Sequence, residues 1–364
     1  MSYDVKIINR IEDINEGEWD ALGAGVPCGS LGWTRFALDA SPDFQPCFIL
    51  LYEGGRLVGR ATAAFNKQHG MSIPSPIKRM VVDNLLTRFP LLQCQAAPAN
   101  LTCMSSLILP EGNEVEAMRC ITTALHQIAR LRPTSFIALG WLTEAEQRAI
   151  AQTGLYHTQA HNETVLVNRW ANFDEYVQTL SKTARKDYRQ HTNHARKMGI
   201  RIEETRQFAQ YADQFQALMG NVDAHYQNNG SAIPSRAFFE LAERELADSG
   251  AMLLAWVGDT LAGFGYLLHD QGILKPSLLG KDYRYQYVYF EIFYAMLRYG
   301  IDNGFRLIRG GVGGAYQFKT SLGFENRPTY TAYTSPSPVF GWIGTRLTRG
   351  MNADSLREQA GVEA

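Results

Sequence analysis

The side chains best suited to chemistry lie between residues 279 and 324. Glu291 falls in an apolar stretch with a helical pattern, and a carboxylate there can accept the proton of an attacking amine. Lys319 follows a glycine-rich run, and an ammonium group together with backbone N–H groups can stabilise an oxyanion. This combination favours amide-forming acyl transfer, with Lys319 and Glu291 as catalytic residues.

Other residues of this region are predicted to bind the substrate. Tyrosines alternate along residues 283–289, so an extended segment would turn them all to one face. The glycines let the backbone approach a ligand closely. Each residue alone also fits a plain structural role, as a core tyrosine, a turn glycine or a solvated cation, but the cluster as a whole favours function. The predicted binding set here comprises Lys281, Tyr283, Tyr285, Tyr289, Gly311, Gly313 and Phe318.

A basic helix is predicted over residues 181–199, with Ser181 as its N-cap and Gly199 as its stop. At about 100° per residue its cations fall on one stripe, and the apolar residues lie opposite. Arg185 and Arg189 are predicted to contact a phosphate or carboxylate, because guanidinium groups bind such anions in a bidentate manner. The alternative is a solvated cationic face. His191 and His194 of this helix are not expected to bind a metal, because no third ligand is evident.

The elements that position these residues follow a pattern that occurs twice. Residues 48–65 and 252–268 each consist of an apolar run, a glycine-containing turn and a second apolar run, which is typical of a β-hairpin. Helical patterns follow at residues 114–131 and 289–303. The order β-β-α-β-α-β therefore appears in both halves, and each half is expected to end in its own closing strand.

This duplication predicts two α/β domains, each with a mixed central sheet flanked by helices, and a cleft between or beside them. The first domain is expected at residues 1–165, the second at 166–334 and a loosely packed tail at 335–364. The alternative is a single large α/β domain.

Composition excludes several classes of protein. The 364 residues carry a formal net charge of -1, with 45% hydrophobic and 20% charged residues, which is ordinary for a globular chain. The N-terminus lacks the apolar core of a signal peptide, and no stretch approaches a membrane span. The five cysteines form no CxxC pair, so a metal site is not expected. These features predict a cytoplasmic protein with no tightly bound cofactor, and they leave the oligomeric state open.

Three segments of the second half carry a resemblance to a known family. They read YVQTLSKTARKDYRQHTNHARKMGIRI, YFEIFYAMLRYGIDNG and GGVGGAYQFKTSLGF. They are similar to the Leu-Ser-x-x-x-Arg basic helix, the aromatic-Glu helix and the Phe-Lys ending of the Fem-type peptidyltransferases and their bacterial relatives. The first half resembles that family only in its order of elements and its hairpin.

The resemblance implies two GNAT-like domains in tandem and the transfer of an acyl or aminoacyl group to an amine. The lysine of the Phe-Lys step lies near the reacting ester in that family, a role that would fall to Lys319. The resemblance also implies that arginines of the basic helix contact substrate, with Arg185 best placed. The acceptor would be an amine of a small molecule or of a cell-envelope precursor.

The donor is either aminoacyl-tRNA or acyl-CoA. GNAT enzymes usually hold the CoA pyrophosphate with an Arg/Gln-x-x-Gly-x-Gly/Ala loop at a helix N-terminus. Residues 281–291 read KDYRYQYVYFE and contain no glycine, which favours aminoacyl-tRNA or another carrier, with tRNA as a possible partner. The alternative to an enzyme is a non-catalytic pair of GNAT domains that binds a ligand.

Overall fold

The structure is a computed structural model, and it describes residues 3–41, 44–66, 80, 84–94, 104–154, 156–225, 233–312, 315–338 and 340–341. Residues 342–364 of the predicted tail therefore lie outside the described residues. The start of the tail packs on the first half, where the ring of Phe340 lies 5.2 Å from that of Phe89.

The chain folds into one mixed β-sheet with helices on both faces, which confirms the predicted α/β class. The strands of the first half are β1 (Asp4–Ile8), β2 (Gln45–Glu53), β3 (Arg56–Asn66), β4 (Leu91–Cys94), β5 (Ile137–Leu142) and β6 (His157–Val167). Those of the second half are β7 (Ile200–Thr205), β8 (Gly250–Val257), β9 (Thr260–Asp270), β10 (Ile273–Lys281), β11 (Leu307–Val312) and β12 (Glu325–Thr334).

The α-helices occupy the segments between these strands. They are α1 (Glu16–Gly23), α2 (Leu31–Asp39), α3 (Glu114–Leu131), α4 (Glu144–Ala151), α5 (Phe173–Thr179), α6 (Lys182–Lys197), α7 (Ala212–His225), α8 (Arg236–Glu245), α9 (Val288–Asp302) and α10 (Tyr316–Ser321). Short 3-10 turns lie at Ile11–Asp13 and Ala209–Tyr211.

Local signals in the sequence account for many of these elements. Both hairpins form, and Gly54 and Gly258 each have φ of 57° in their turns, a conformation that suits glycine. Helices α3 and α9 lie within one residue of their predicted bounds. The side chain of Ser181 accepts from the backbone N–H of Ala184 and caps α6 as expected.

The two halves exchange their final strands. The strand order is β1-β2-β3-β4-β5-β12-β6-β11-β10-β9-β8-β7. β6 therefore lies beside β11 of the second half, whereas β12 lies beside β5 of the first half. β6 and β12 also pair with each other in antiparallel fashion.

The expectation that each half is closed by its own last strand is therefore wrong. Each half instead supplies the strand that covers the open edge of the other, because β6 lies beside β11 and β12 beside β5. The division of the chain at residue 165 stays a prediction, but β6 belongs structurally to the second half.

Helix α2 joins the two halves. Leu31 packs with the core of the first half, whereas Trp33 and Phe36 pack with the second-half core that includes Phe238 of α8. The N–H of Cys28, just before α2, donates to Asp270 Oδ2 at the end of β9 over 2.7 Å.

Candidate active site

Strands β10 and β11 diverge and leave an opening in the second half of the sheet. They run parallel but pair only where Ile273 and Leu274 face Leu307 and Ile308. Beyond that point β10 continues to Lys281 beside β9, and β11 continues beside β6. The ends of both strands therefore border the opening.

Four of the predicted binding residues meet at this opening. The Nζ atom of Lys281 lies 4.2 Å from the ring centroid of Tyr283 and 5.5 Å from that of Tyr289. The ring of Tyr289 lies 6.1 Å from that of Phe318. These residues come from the end of β10, the turn after it, α9 and α10, so they connect β10 with the helix that follows β11.

Phe318 also anchors helix α10. Its ring packs edge-on against Phe290 and Phe293 of α9, at centroid distances of 5.1 and 5.2 Å. A side chain fixed in this way holds its neighbour Lys319 in a defined orientation. Phe318 therefore contributes packing as well as a wall of the site.

Lys319 is a buried cation. It is not the solvated cation that the alternative structural interpretation of this residue predicts. The residue is 6% exposed, and its Nζ atom lies 5.9 Å from the ring of Tyr316. Burial lowers the pKa of Lys319 to about 8, and the Glu163 carboxylate opposes that effect. An ammonium group in such a site is desolvated, so it interacts strongly with a developing negative charge.

Glu163 and Arg309 are site residues that the sequence reasoning missed. The guanidinium of Arg309 on β11 donates to both carboxylate oxygens of Glu163 on β6, over 2.6 and 2.7 Å. Their side chains are 11% and 9% exposed. Arg309 inside the short strand β11 was the available signal, but its partnership with Glu163 across 146 positions of chain was not visible in the sequence.

The glycine run has a partly structural role. Gly311 has φ of 79° and lies at an irregularity in the β11–β6 pairing, and its carbonyl accepts from Thr164 Oγ1 over 3.1 Å. Gly313, also predicted to bind substrate, lies outside the described residues. Gly311 therefore needs to be glycine for its backbone conformation.

The two predicted catalytic residues are not brought together. Glu291 lies in the first turn of α9 and faces Thr192 and Arg196 of α6, and burial raises the pKa of its carboxyl group. Among the described residues it forms no ion pair or hydrogen bond with Lys319. The carboxylate whose charge raises the pKa of Lys319, against the effect of burial, is that of Glu163.

The expectation that the tyrosines share one face is wrong, because residues 282–287 form turns. Asp282 Oδ1 accepts from the backbone N–H of Arg284 over 2.9 Å and bends the chain. Tyr283 consequently stacks on His225, with ring centroids 3.9 Å apart. Tyr285 packs instead with the cluster that contains Val288.

The same turn bears on the donor. Asp282 accepts from the backbone N–H of Arg284 and forms an ion pair with the Arg284 guanidinium. In CoA-dependent GNAT enzymes this segment presents free N–H groups. Tyr287, the N-cap of α9, has φ of 70° and its ring stacks on that of His194. Side chains thus shape this turn, whereas no side chain caps the N-terminus of α9.

Helix α6 presents its cationic stripe to solvent, as predicted. Ala184 and Ala195 are buried on the opposite face, and His191 Nδ1 lies 2.9 Å from the hydroxyl of Tyr294. Arg189 is exposed, whereas Arg185 is half-buried and donates to the carbonyl of Gln178 over 3.0 Å. None of these arginines pairs with a carboxylate in the described part of the chain.

Two searches of the described ranges bear on other classes of function. No three His, Cys, Asp or Glu side chains within them are grouped closely enough to hold a metal ion. No helix among them is both long and apolar enough to cross a membrane.

Comparison with known families gives one match that spans most of the chain. Residues 10–343 match the FemAB-like family, described as peptidoglycan biosynthesis/recognition. No curated protein sequence matches the chain significantly.

Several solved structures are similar over almost the whole chain. FemX has a TM-score of 0.60 at 11% identity, covering 93% of this chain and 99% of its own. A tandem GNAT protein from the clavulanic acid biosynthesis pathway has a TM-score of 0.57 at 13% identity, covering 92% and 99%. The C-terminal DUF2156 domain of a putative lysylphosphatidylglycerol synthetase from Agrobacterium fabrum has a TM-score of 0.55 at 11% identity, covering 91% and 95%. The architecture is thus that of tandem GNAT structures.

Proposed function

This chain belongs to the FemAB-like family, and from that premise we propose that it transfers an acyl or aminoacyl group to an amine, forming an amide bond. The observation that carries the proposal is the buried Lys319 ammonium on α10, next to Phe318, whose ring lies 6.1 Å from that of Tyr289 at the opening. The family description supports an acceptor amine on a cell-envelope precursor, and an amine of another small molecule is the other candidate.

In the proposed reaction the amine attacks the carbonyl carbon of the donor ester or thioester. The Lys319 ammonium stabilises the oxyanion that forms on the carbonyl oxygen, and this requires Lys319 to be protonated. Collapse of the tetrahedral intermediate breaks the bond to the carrier and leaves the amide. Lys281, Tyr283 and Tyr289 at the opening are proposed to hold the substrates.

The amine must also lose a proton. The raised pKa of Glu291 suits a general base, but the residue lies against α6 and does not contact Lys319. We propose that Glu291 acts through an intervening water, since a base one water away from the proton it removes remains effective.

We propose aminoacyl-tRNA as the donor in preference to acyl-CoA. The β10–α9 turn carries a buried Asp282 paired with Arg284, and it lacks the glycines of the loop with which GNAT enzymes usually hold a pyrophosphate. The exposed stripe of α6, with Arg189 near its middle, offers cations to a polyanion. The acyl end would reach Lys319 past the aromatic contacts of His191 with Phe290 and Phe318.

Binding measurements test this choice of donor. Thermal shift and equilibrium binding with acetyl-CoA, longer acyl-CoAs and a pool of aminoacyl-tRNAs are compared at low and high salt. We expect binding of charged tRNA that weakens steeply with salt. Binding of a CoA thioester with none of tRNA at about 50 mM salt would overturn the choice of donor.

Substitution of Arg189 should weaken that binding through charge alone. We expect Arg189→Ala to lower the slope of log affinity against log salt by about one, because one phosphate contact is lost. Lys6→Ala on β1 is the matched control, since this lysine lies at the opposite edge of the sheet from β7, on which α6 packs. Equal slopes for both variants would exclude Arg189 from the contact.

A further inference from the structure

Three consecutive residues of β6 hold the connection that carries Lys319. The carbonyl of Asn162 accepts from the hydroxyl of Tyr316 in the first turn of α10, over 2.9 Å. The hydroxyl of Thr164 donates to the carbonyl of Gly311, at the end of β11, over 3.1 Å. Glu163 lies between them, so β6 fixes both ends of the β11–α10 connection.

Glu163 is itself held rigidly. Both of its carboxylate oxygens accept from Arg309 in a buried, two-point contact, which allows the carboxylate little freedom to rotate. The backbone of Lys319 is also fixed, because its carbonyl accepts from the N–H groups of Leu322 and Phe324 over 3.0 and 3.1 Å. Tyr316 connects the two, because its hydroxyl binds Asn162, next to Glu163, and its ring lies 5.9 Å from Lys319 Nζ. A fixed carboxylate therefore lies near a cation whose own backbone is fixed.

We propose that Glu163 is a positioning residue for Lys319: its carboxylate, clamped by Arg309, holds the Lys319 ammonium at the point where the oxyanion forms. The inference rests on the proposed role of Lys319 and adds that the first half of the chain completes the site through β6. Glu163 does not touch the substrate in this account, and it acts only through the lysine.

The charge state of Lys319 provides a readout that packing alone would not move. Among the described residues, the titratable and charged groups that face it or its helix include Glu163 from β6, Arg309 from β11, Tyr316 from α10, Tyr289 and Tyr294 from α9, Tyr176 from α5 and His191 from α6. Of these, Glu163 favours the protonated lysine, since an opposite charge stabilises an ammonium. Turnover that needs protonated Lys319 should therefore fall as the pH rises through about 8.

The test is a pH titration of the full-length protein by NMR of 13C-labelled lysine, with the Lys319 signal assigned by its loss in Lys319→Arg. We expect Glu163→Gln to lower the titration midpoint of Lys319 by about one pH unit, because the stabilising charge is gone. Arg309→Met should raise the midpoint, because Glu163 then acts on Lys319 alone. A purely structural contact would not shift the Lys319 midpoint in opposite directions when Glu163 and Arg309 are replaced.

A third variant keeps the proposal testable if the other two fail to fold. Glu163→Asp keeps the charge but shortens the reach, so we expect a midpoint close to that of the unchanged protein and a kcat lower by about tenfold or more, with KM little changed. The proposal would be overturned if whichever of Glu163→Gln and Arg309→Met folds leaves the Lys319 midpoint unchanged and Glu163→Asp is fully active. The titration needs no substrate, so shifted midpoints in a protein without transferase activity would uphold the positioning pair and refute only the proposed function.

Discussion

Replacing Lys319 with alanine is expected to lower kcat by about 10²–10³-fold, the usual cost of removing a preorganised group that stabilises an oxyanion. The ammonium is buried, and alanine leaves no cation in its place to stabilise the oxyanion. The measurement is single-turnover transfer of a labelled acyl group from the donor that the binding test identifies. The substitution removes a desolvated cation, so the fold should remain, as seen by an unchanged circular dichroism spectrum.

Lys6→Ala is the matched control for this experiment, because it removes a lysine from the distant edge strand β1. It should leave kcat unchanged. A loss below tenfold in Lys319→Ala would remove Lys319 from the mechanism.

The exchanged strand predicts a second large effect, on assembly. A fragment of residues 1–155 mixed with residues 156–364 retains every strand and breaks the chain only just before β6. We expect these fragments to form a stable complex. The same first fragment with residues 168–364 lacks β6 and should give none, because β11 and β12 then lose their shared neighbour and buried Val165 and Leu166 are missing.

Co-purification of tagged fragments measures this difference. The two mixtures differ by little more than β6, so α2 and its contacts with the second half are present in both. A folded complex that forms equally well without β6 would show that the second half closes its own sheet and would contradict the strand exchange.

The sequence predicted those parts of the fold that depend on neighbouring residues. The turns at Gly54 and Gly258 need a positive φ that glycine adopts easily, and the Ser181 cap satisfies N–H groups within its own helix. The apolar periodicity of α3 likewise marks one buried face. Such signals are local, and they place helices and hairpins well.

Other features depend on contacts that no local pattern contains. The sequence of a strand does not show whether the strand pairs with its own half or with the other half, so the exchange of β6 and β12 was not predictable. Glu163 and Arg309 meet only because of that exchange. The tyrosine alternation suggested a strand, but the side chain of Asp282 binds the backbone at Arg284 and forms a turn instead.

The site was predicted in part for the same reason. Lys281, Tyr283, Tyr289 and Phe318 meet because the order of strands and helices, repeated from the first half, brings β10, α9 and α10 together. Glu291 was grouped with Lys319 on sequence proximity alone, although α9 turns it towards α6. Burial, which gives Lys319 its lowered pKa, is a property of the folded chain and not of its residue type.

The most direct test of amide-forming transfer is mass spectrometry of the acceptor. The protein is incubated with the donor it binds, carrying an isotope-labelled acyl or aminoacyl group, and with a panel of amines that includes cell-envelope precursors. We expect one acceptor to gain the mass of the labelled group in an amide that resists hydroxylamine, and Lys319→Ala to form far less of it. Tight donor binding without any labelled amide across the panel would contradict the account and identify the protein as a ligand-binding pair of GNAT domains.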